Sequence, residues 1–350
     1  RWFSTHFSTE QHFAHAVILN VPDSVSVMQL EIGLSALMRA HPVLRSVYEN
    51  GLLHVSAMVD ITRNTLPASW ISVSDDDYNT SFQRAINRLN PTAGIMGQLV
   101  LCRQNPQQLS LMVVLHHLVV DGVSWRILLP ELEFAVMSAV QGAASIIPPE
   151  EYALTDWAAA LNAQVARRRE TESAFWLQQL SEPLPPLGSR ALTASDTYAN
   201  VTHQRLLVPS ALSQSLLLSL PTAYCVNIEE ILLTVVAKAC ANVFAMPTMR
   251  FMLESHGRHA ENDLQDLNRT VGWLTNEYPV LLAFDTNTVD PPMDVKTVKQ
   301  AMRQIPDAGL GYSILRYLDD SAADIHAAET AHRPSVLFNY LGRFTQSTAD

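Results

Sequence analysis

"VVLHHLVVDGVSWRILLPEL", residues 113–132, decides how the rest of the chain is read. An apolar run of strand character ends on two adjacent histidines. Asp121-Gly122 then makes a turn, and an amphipathic helix begins near Val123. Successive strand residues point to opposite faces, so His116 and His117 send their rings in opposite directions. A helix N-terminus carries unpaired N–H groups and partial positive charge. A histidine beside such an end is well placed to serve an anionic intermediate. Asp121 reads equally as a helix N-cap or as one half of a buried ion pair that shapes the loop. Taken bare, the histidine pair also fits one core ring and one surface ring.

Upstream and downstream of this stretch, strand and helix signals alternate. "HAVILNV" (15–21) predicts a buried strand. "SVMQLEIGLSALMRAHP" (26–42) has helical periodicity, with Ser24 or Ser26 as N-cap and Pro42 as stop. Asn50-Gly51 between "VLRSVYE" and "LLHVSAM" (52–58) predicts a hairpin. Residues 97–103 and 109–117 predict another. Helices are expected at about 123–140 and 155–180. Residues 181–200, rich in Pro, Ser and Gly, read as a linker. The alternation then restarts, with strands near 202–208, 249–255, 277–284 and 336–341 and helices near 227–245 and 293–303. The organisation read from this is an N-terminal lobe, 1–180, a linker, 181–200, and a C-terminal lobe, 201–350. The fold class is α/β, with mixed sheets in both lobes.

With 23 Lys and Arg against 34 Asp and Glu, the net charge is −11, which argues against a nucleic-acid partner. No apolar run is long enough to span a membrane. Cys102, Cys225 and Cys240 are odd in number and widely spaced, without a CxxC. That pattern fits a reducing compartment and no zinc site, so a cytoplasmic location is expected. The chain opens on Arg1-Trp2-Phe3, which reads as a piece of something longer.

HHLVVDGVSW (116–125) fits the HHxxxDGxSW motif and resembles the condensation-domain superfamily of nonribosomal peptide synthetases. That motif is shared by condensation domains, which form peptide bonds, and epimerization domains, which invert an α-carbon. Later segments favour the second. "ESHGRH" (254–259) resembles EGHGRE, with Ser255 for Gly and His259 for Glu. "RTVGWLTNEYPV" (269–280) resembles RTVGWFTxxYP, with Leu274 for Phe. "IPDAGLGYSILRYL" (305–318) resembles PxxGxGYG, with Ser313 for the last Gly, and "LFNYLGRF" (337–344) matches FNYLG. "RWF" resembles the end of PIQxWF. The resemblance implies two chloramphenicol-acetyltransferase-like lobes facing a channel, and further chain beyond Asp350.

It also implies an activity. An epimerization domain converts an L-aminoacyl or L-peptidyl thioester to an L/D mixture. The substrate arrives on the 4′-phosphopantetheine arm of an upstream peptidyl carrier domain, with a condensation domain as neighbour and no bound cofactor. His117 corresponds to the family's catalytic histidine and Glu254 to its catalytic glutamate. Inversion needs a proton removed from one face and one delivered to the other. The enolate between them needs donors. Candidates are the helix N-terminus at Gly122–Ser124 and the side chains of Asn339 and Tyr340, which the resemblance puts near the channel. Arg45 sits where the superfamily has an arginine that pairs with the motif aspartate, so an Arg45–Asp121 ion pair is expected, with a structural role. His116 completes the set.

Simpler readings stand beside these. Glu254 could pair with Arg258 at i+4, and Trp125 and Trp273 are most simply core aromatics. His256 and His259 lack any metal-ligand spacing, so no metal is expected. A condensation domain and a catalytically silent carrier-docking domain are the rival functions.

Overall fold

The computed structural model describes residues 3, 13–55, 70–105, 108–185, 187, 188, 190, 193, 195–197, 200–259, 266–287 and 290–342. The chain divides into two compact units. The first holds Arg1–Leu161 and Arg258–Thr275, the second Asn162–Gly257 and Asn276–Asp350.

In the first unit, β1 (Ala14–Val21), β6 (Gln108–His116), β5 (Gly97–Asn105) and β4 (Ile71–Ser74) form a sheet in that order. β1/β6 and β5/β6 are antiparallel and β4/β5 is parallel. Alternation sorts its side chains to two cores. Leu99, Leu101, Leu111, Val113 and Leu115 join the larger one, with residues of α1 (Val27–Ala40) and α3 (Gly122–Val140). Val100, Cys102, Met112 and Val114 face the smaller one, with Ala85 and Ile86 of α2 (Tyr78–Ile86). Ser26 caps α1 in a capping box with Gln29. β2 (Ser46–Glu49) and β3 (Leu52–Val55) form the expected hairpin, with Asn50 at φ 52° and Gly51 at φ 79°. Residues 56–58 of the second predicted strand lie outside the described residues.

In the second unit, β8 (Asn276–Ala283), β7 (Thr248–Ser255) and β9 (Val336–Phe338) form a mixed sheet, antiparallel between β7 and β8 and parallel between β7 and β9. One face carries Met249, Phe251, Leu253, Tyr278, Val280 and Leu282 into a core shared with α5 (Ile228–Val243) and α6 (Pro291–Gln304). α7 (Leu310–Tyr317) and α8 (Ala323–His332) complete it. α4 (Leu154–Leu180) begins in the first unit and ends in the second.

Four expectations are corrected. The first lobe does not end at residue 180. Leu154 packs on the first unit's core, whereas Trp176 and Leu180 are fully buried in the second's, so the division falls inside α4. Residues 258–275, although late in sequence, belong to the first unit. Residues 202–208 form no strand: Leu206 and Leu207 are exposed, and the apolar run lacks a pairing partner among the described residues. β1, read as a buried strand, is half-exposed, with alternate residues facing solvent.

Candidate functional site

The histidine pair separates as alternation requires. His116 closes β6, donates its backbone N–H to Met96 O at 2.8 Å and is fully buried. Its Nδ1 accepts from Leu118 N, and its ring meets Phe3 edge-on at 5.6 Å. It caps a short 3-10 turn, His117–Val119. His117 begins that turn, and its backbone N–H donates to Phe13 O at 2.8 Å. Its ring lies stacked on Phe13 at 4.6 Å and contacts Trp273 at 4.3 Å and His15 at 4.1 Å. Its Nδ1 is buried without a well-formed hydrogen bond among the described residues. Burial, and then the neighbouring His15, hold its pKa down at about 4; its own backbone carbonyl and Asp121 oppose the shift. The ring is therefore neutral at neutral pH.

Asp121 is both of the things the sequence allows. It caps α3, with Oδ1 accepting from Ser124 N and Ser124 Oγ, each at 2.8 Å. It also forms a bidentate ion pair, with Arg258 Nη1 at 2.8 Å and Nη2 at 3.0 Å, and accepts from Leu274 N at 3.1 Å. Both partners of the pair are buried. Burial pushes the carboxyl up, but Arg258 and the Ser124 donors outweigh it and hold the pKa below the usual range. The expected partner, Arg45, is elsewhere. It ends a 3-10 turn, Pro42–Arg45, that folds its guanidinium back onto α1, where it donates to the carbonyls of Met38 and Arg39. Those are last-turn carbonyls in need of donors. The Arg45–Asp121 pair is thus replaced by Arg258–Asp121.

Ser124 is also committed. Its Oγ, whose one proton is shared between Asp121 Oδ1 and Gly272 O at 3.0 Å, accepts from Gly272 N at 3.1 Å, and its own N–H is spent on the cap. Of the helix N-terminus only Gly122 and Val123 are left as candidate enolate donors; a Cβ added at Gly122 would meet open space. Residues 269–274 are fixed to the first unit by several such bonds. Arg269 pairs with Glu131 at 2.8 Å, and Val271 N donates to Glu150 at 2.9 Å. Both carboxylates also bind the buried His41, at 2.6 and 2.7 Å. Burial works against charge on His41, but the two carboxylates overcome it and its pKa is raised. This lattice carries Trp273 to the His117 ring.

In the second unit Glu254 lies on β7, half-buried. Alternation puts it with Arg250 and Met252 on the sheet face opposite the core. Asn339, just past β9, donates its Nδ2 to Glu254 Oε2. One of the two Nδ2 hydrogens of Asn339, expected as an enolate donor, is thus given to the Glu254 carboxylate. Tyr340 follows it in sequence. Burial, and then the charge of Glu277 across the strand pair, push the Glu254 carboxyl up to about 7. Next along, Ser255 Oγ bonds Asn276 Oδ1 at 2.6 Å and Ala308 O at 3.1 Å. Ala308 lies in a left-handed turn, Asp307–Gly309, where a Cβ on Gly309 would fall 2.0 Å from the Tyr278 ring.

Sequence reasoning thus brings out His117, Asp121 and Glu254 and misses Phe13, His15, Glu277 and the pairing of Arg258 with Asp121 in place of Glu254. Trp273 reads as core in the sequence; it packs on the His117 ring. Among the described residues no His, Cys, Asp or Glu side chains cluster as a metal site, and no single helix is long and apolar enough to cross a membrane.

The condensation domain model matches residues 1–350, the whole chain. The chain belongs to the condensation domain family. Vanchrobactin synthetase VabF from Vibrio anguillarum is 28% identical to this family member over 352 residues, covering 99% of the chain and 12% of that protein. The domain spans 5–14% of the length of the curated relatives it matches. Among solved structures, the epimerization domain from the third module of tyrocidine synthetase B superposes with a TM-score of 0.84 at 26% identity, covering 99% of this chain and 80% of that one. The first condensation domain of the CDA synthetase gives 0.60 at 18% identity, covering 84% and 69%, a likeness of fold.

Proposed function

We propose that this condensation-family domain epimerizes the α-carbon of an L-aminoacyl or L-peptidyl thioester. The substrate is carried on the phosphopantetheine arm of an upstream carrier domain of a nonribosomal peptide synthetase, with a condensation domain as neighbour and no bound cofactor. The observation that carries this reading is Glu254. A half-buried carboxyl with a pKa of about 7 is divided between acid and base at neutral pH, the state in which a general acid or base works best. Amide formation has no evident use for it. The likeness to the tyrocidine epimerization domain supports the same reading.

In this reading His117 and Glu254 act as the base and the acid of the inversion. The reactive arrangement pairs neutral His117 with the protonated fraction of Glu254. From it, the Cα–H bond breaks and the proton passes to His117. The bonding pair moves to the thioester carbonyl oxygen as an enolate, and Glu254 returns a proton to Cα on the other face. The imidazolium and carboxylate left behind reset by exchange with water, and the reverse direction uses the same groups in the opposite roles. Each positioned group is worth on the order of 10²–10⁴ in rate, so donors to the enolate oxygen must supply more. The N–H groups of Gly122 and Val123 are proposed for that role.

The test is to incubate the domain with an L-aminoacyl carrier protein, with and without an aminoacyl acceptor carrier, and to assay the chirality of the released amino acid and any dipeptide. D-product without acceptor supports epimerization. Dipeptide of unchanged chirality supports a condensation domain, and carrier binding with neither product supports a docking role.

A further inference from the structure

Glu277 is the residue opposite Glu254. β7 and β8 pair with Glu254 against Glu277, Leu253 against Tyr278 and Ser255 against Asn276. Directly opposed residues of an antiparallel pair project to the same face, with Cβ atoms about 4.5–5.5 Å apart, and like charges there repel. Leu253 and Tyr278 fill the core face, so Glu254 and Glu277 share the other. The backbone of this pair is held on both sides. Ser313 Oγ donates to Glu277 O at 3.2 Å, while Ser255 and Asn276 both bond Ala308 O. Ser255 and Ser313 are two of the positions where this chain departs from the motifs it resembles, and both departures add a hydroxyl that ties this strand pair down.

We propose that Glu277 is a positioning residue for Glu254: the two carboxyls stand directly opposed on one face of the β7–β8 strand pair, and the like charge of Glu277 sets the readiness of Glu254 to hold a proton. This rests on the epimerization reading for its purpose but not for its test. Among the described residues the groups around the pair include Asn339 beyond β9, which bonds Glu254, and Tyr312 and Tyr317 on α7, whose hydroxyls are pushed up by burial first and by Glu277 in part. Arg316 and Arg333 face those tyrosines. Removal of Glu277's charge leaves these groups in place and takes away the like charge opposite Glu254. Burial accounts for the larger part of the raised carboxyl pKa and Glu277 for the remainder.

The experiment is a pH titration of the chain labelled with ¹³C at glutamate Cδ, the Glu254 signal being identified by its loss in Glu254→Gln. The wild-type midpoint is expected near pH 7. In Glu277→Gln it should fall by about one pH unit, and in Glu277→Asp, which keeps the charge, it should stay near wild type. Glu277→Thr, better suited to a strand, serves as a second neutral variant should the glutamine variant not fold. An unmoved Glu254 midpoint in a folded neutral variant overturns the pair. The same variants are then followed by Cα exchange against pH. A parallel shift in the rate profile supports the pair, and exchange whose profile ignores Glu277 counts against it. A moved Glu254 midpoint in a chain without exchange sinks the epimerization reading and leaves the carboxyl pair standing.

Discussion

His117 and Glu254 are perturbed in opposite senses, and both perturbations have consequences for stability. Glu254 binds its proton more tightly folded than unfolded, so between about pH 4.5 and 7 the folded chain holds the extra proton and stability falls as pH rises. His117 is the reverse. The unfolded ring charges below its ordinary 6.5 while the folded ring stays neutral to about 4, so stability present above 6.5 is lost as pH falls through that window. Each shift is worth up to about 3 kcal/mol, and the two slopes largely cancel in the wild type. Glu254→Gln should therefore stabilise the chain at pH 8 and leave it unchanged at pH 4. His117→Phe should gain stability relative to wild type as pH falls from 6.5 to 4. Denaturant melts at several pH values check both; a pH-independent difference for either variant contradicts the assignment. These two residues are legible in the sequence because motif and position coincide. Their environments are not. The His15 ring beside His117 and the Glu277 carboxyl across from Glu254 depend on strand register, which no local pattern in the sequence specifies.

At the scale of elements, Arg258 and the segment 266–275 do the most to organise the first unit around His117 and Asp121. The attachment runs through the buried Arg258–Asp121 pair and through Leu274 N on Asp121, Gly272 on Ser124 and Arg269 on Glu131. Removing one partner of a buried pair strands the other, at a cost of about 3–5 kcal/mol. Asp121→Ala and Arg258→Ala should each destabilise by that order, and the double variant by much less than their sum. Arg45→Ala should act separately, through the C-terminus of α1, and add to Asp121→Ala. Strict additivity between Asp121 and Arg258 would contradict the pairing. The long helices are readable to within two residues, 154–180 for 155–180 and 122–140 for 123–140, because a 3.6-residue period persists over many turns. β4, α2 and α7 escape the sequence reading because four to nine residues carry too little period. Arg258 is readable only as an i+4 neighbour of Glu254; that reading presumes one continuous element, and the chain changes units at Gly257/Arg258.

For the whole molecule, discontinuity is the physical point. The first unit takes residues from both ends of the sequence division, so a fragment of residues 1–161 lacks Arg258, Arg269 and the Val271 that lies buried in its core. Such a fragment should show secondary structure in the far-UV but a weakened near-UV signal, and rapid proteolysis; a fragment as protease-resistant as the full chain would contradict the division. Family membership and two mixed α/β units are legible from five ordered motifs. The position of the boundary is not, because a proline-rich stretch at 181–200 marks a break in periodicity and says nothing of which core a helix enters. The proposed chemistry is tested most directly by deuterium uptake at Cα. The domain is added in D₂O to an L-aminoacyl-phosphopantetheinyl carrier protein, and the hydrolysed amino acid is analysed for mass and chirality. Uptake with D-product, abolished in Glu254→Gln and in His117→Ala, is the expected result. Retention of the Cα proton across several aminoacyl groups, in folded wild-type protein that binds the carrier, would contradict epimerization.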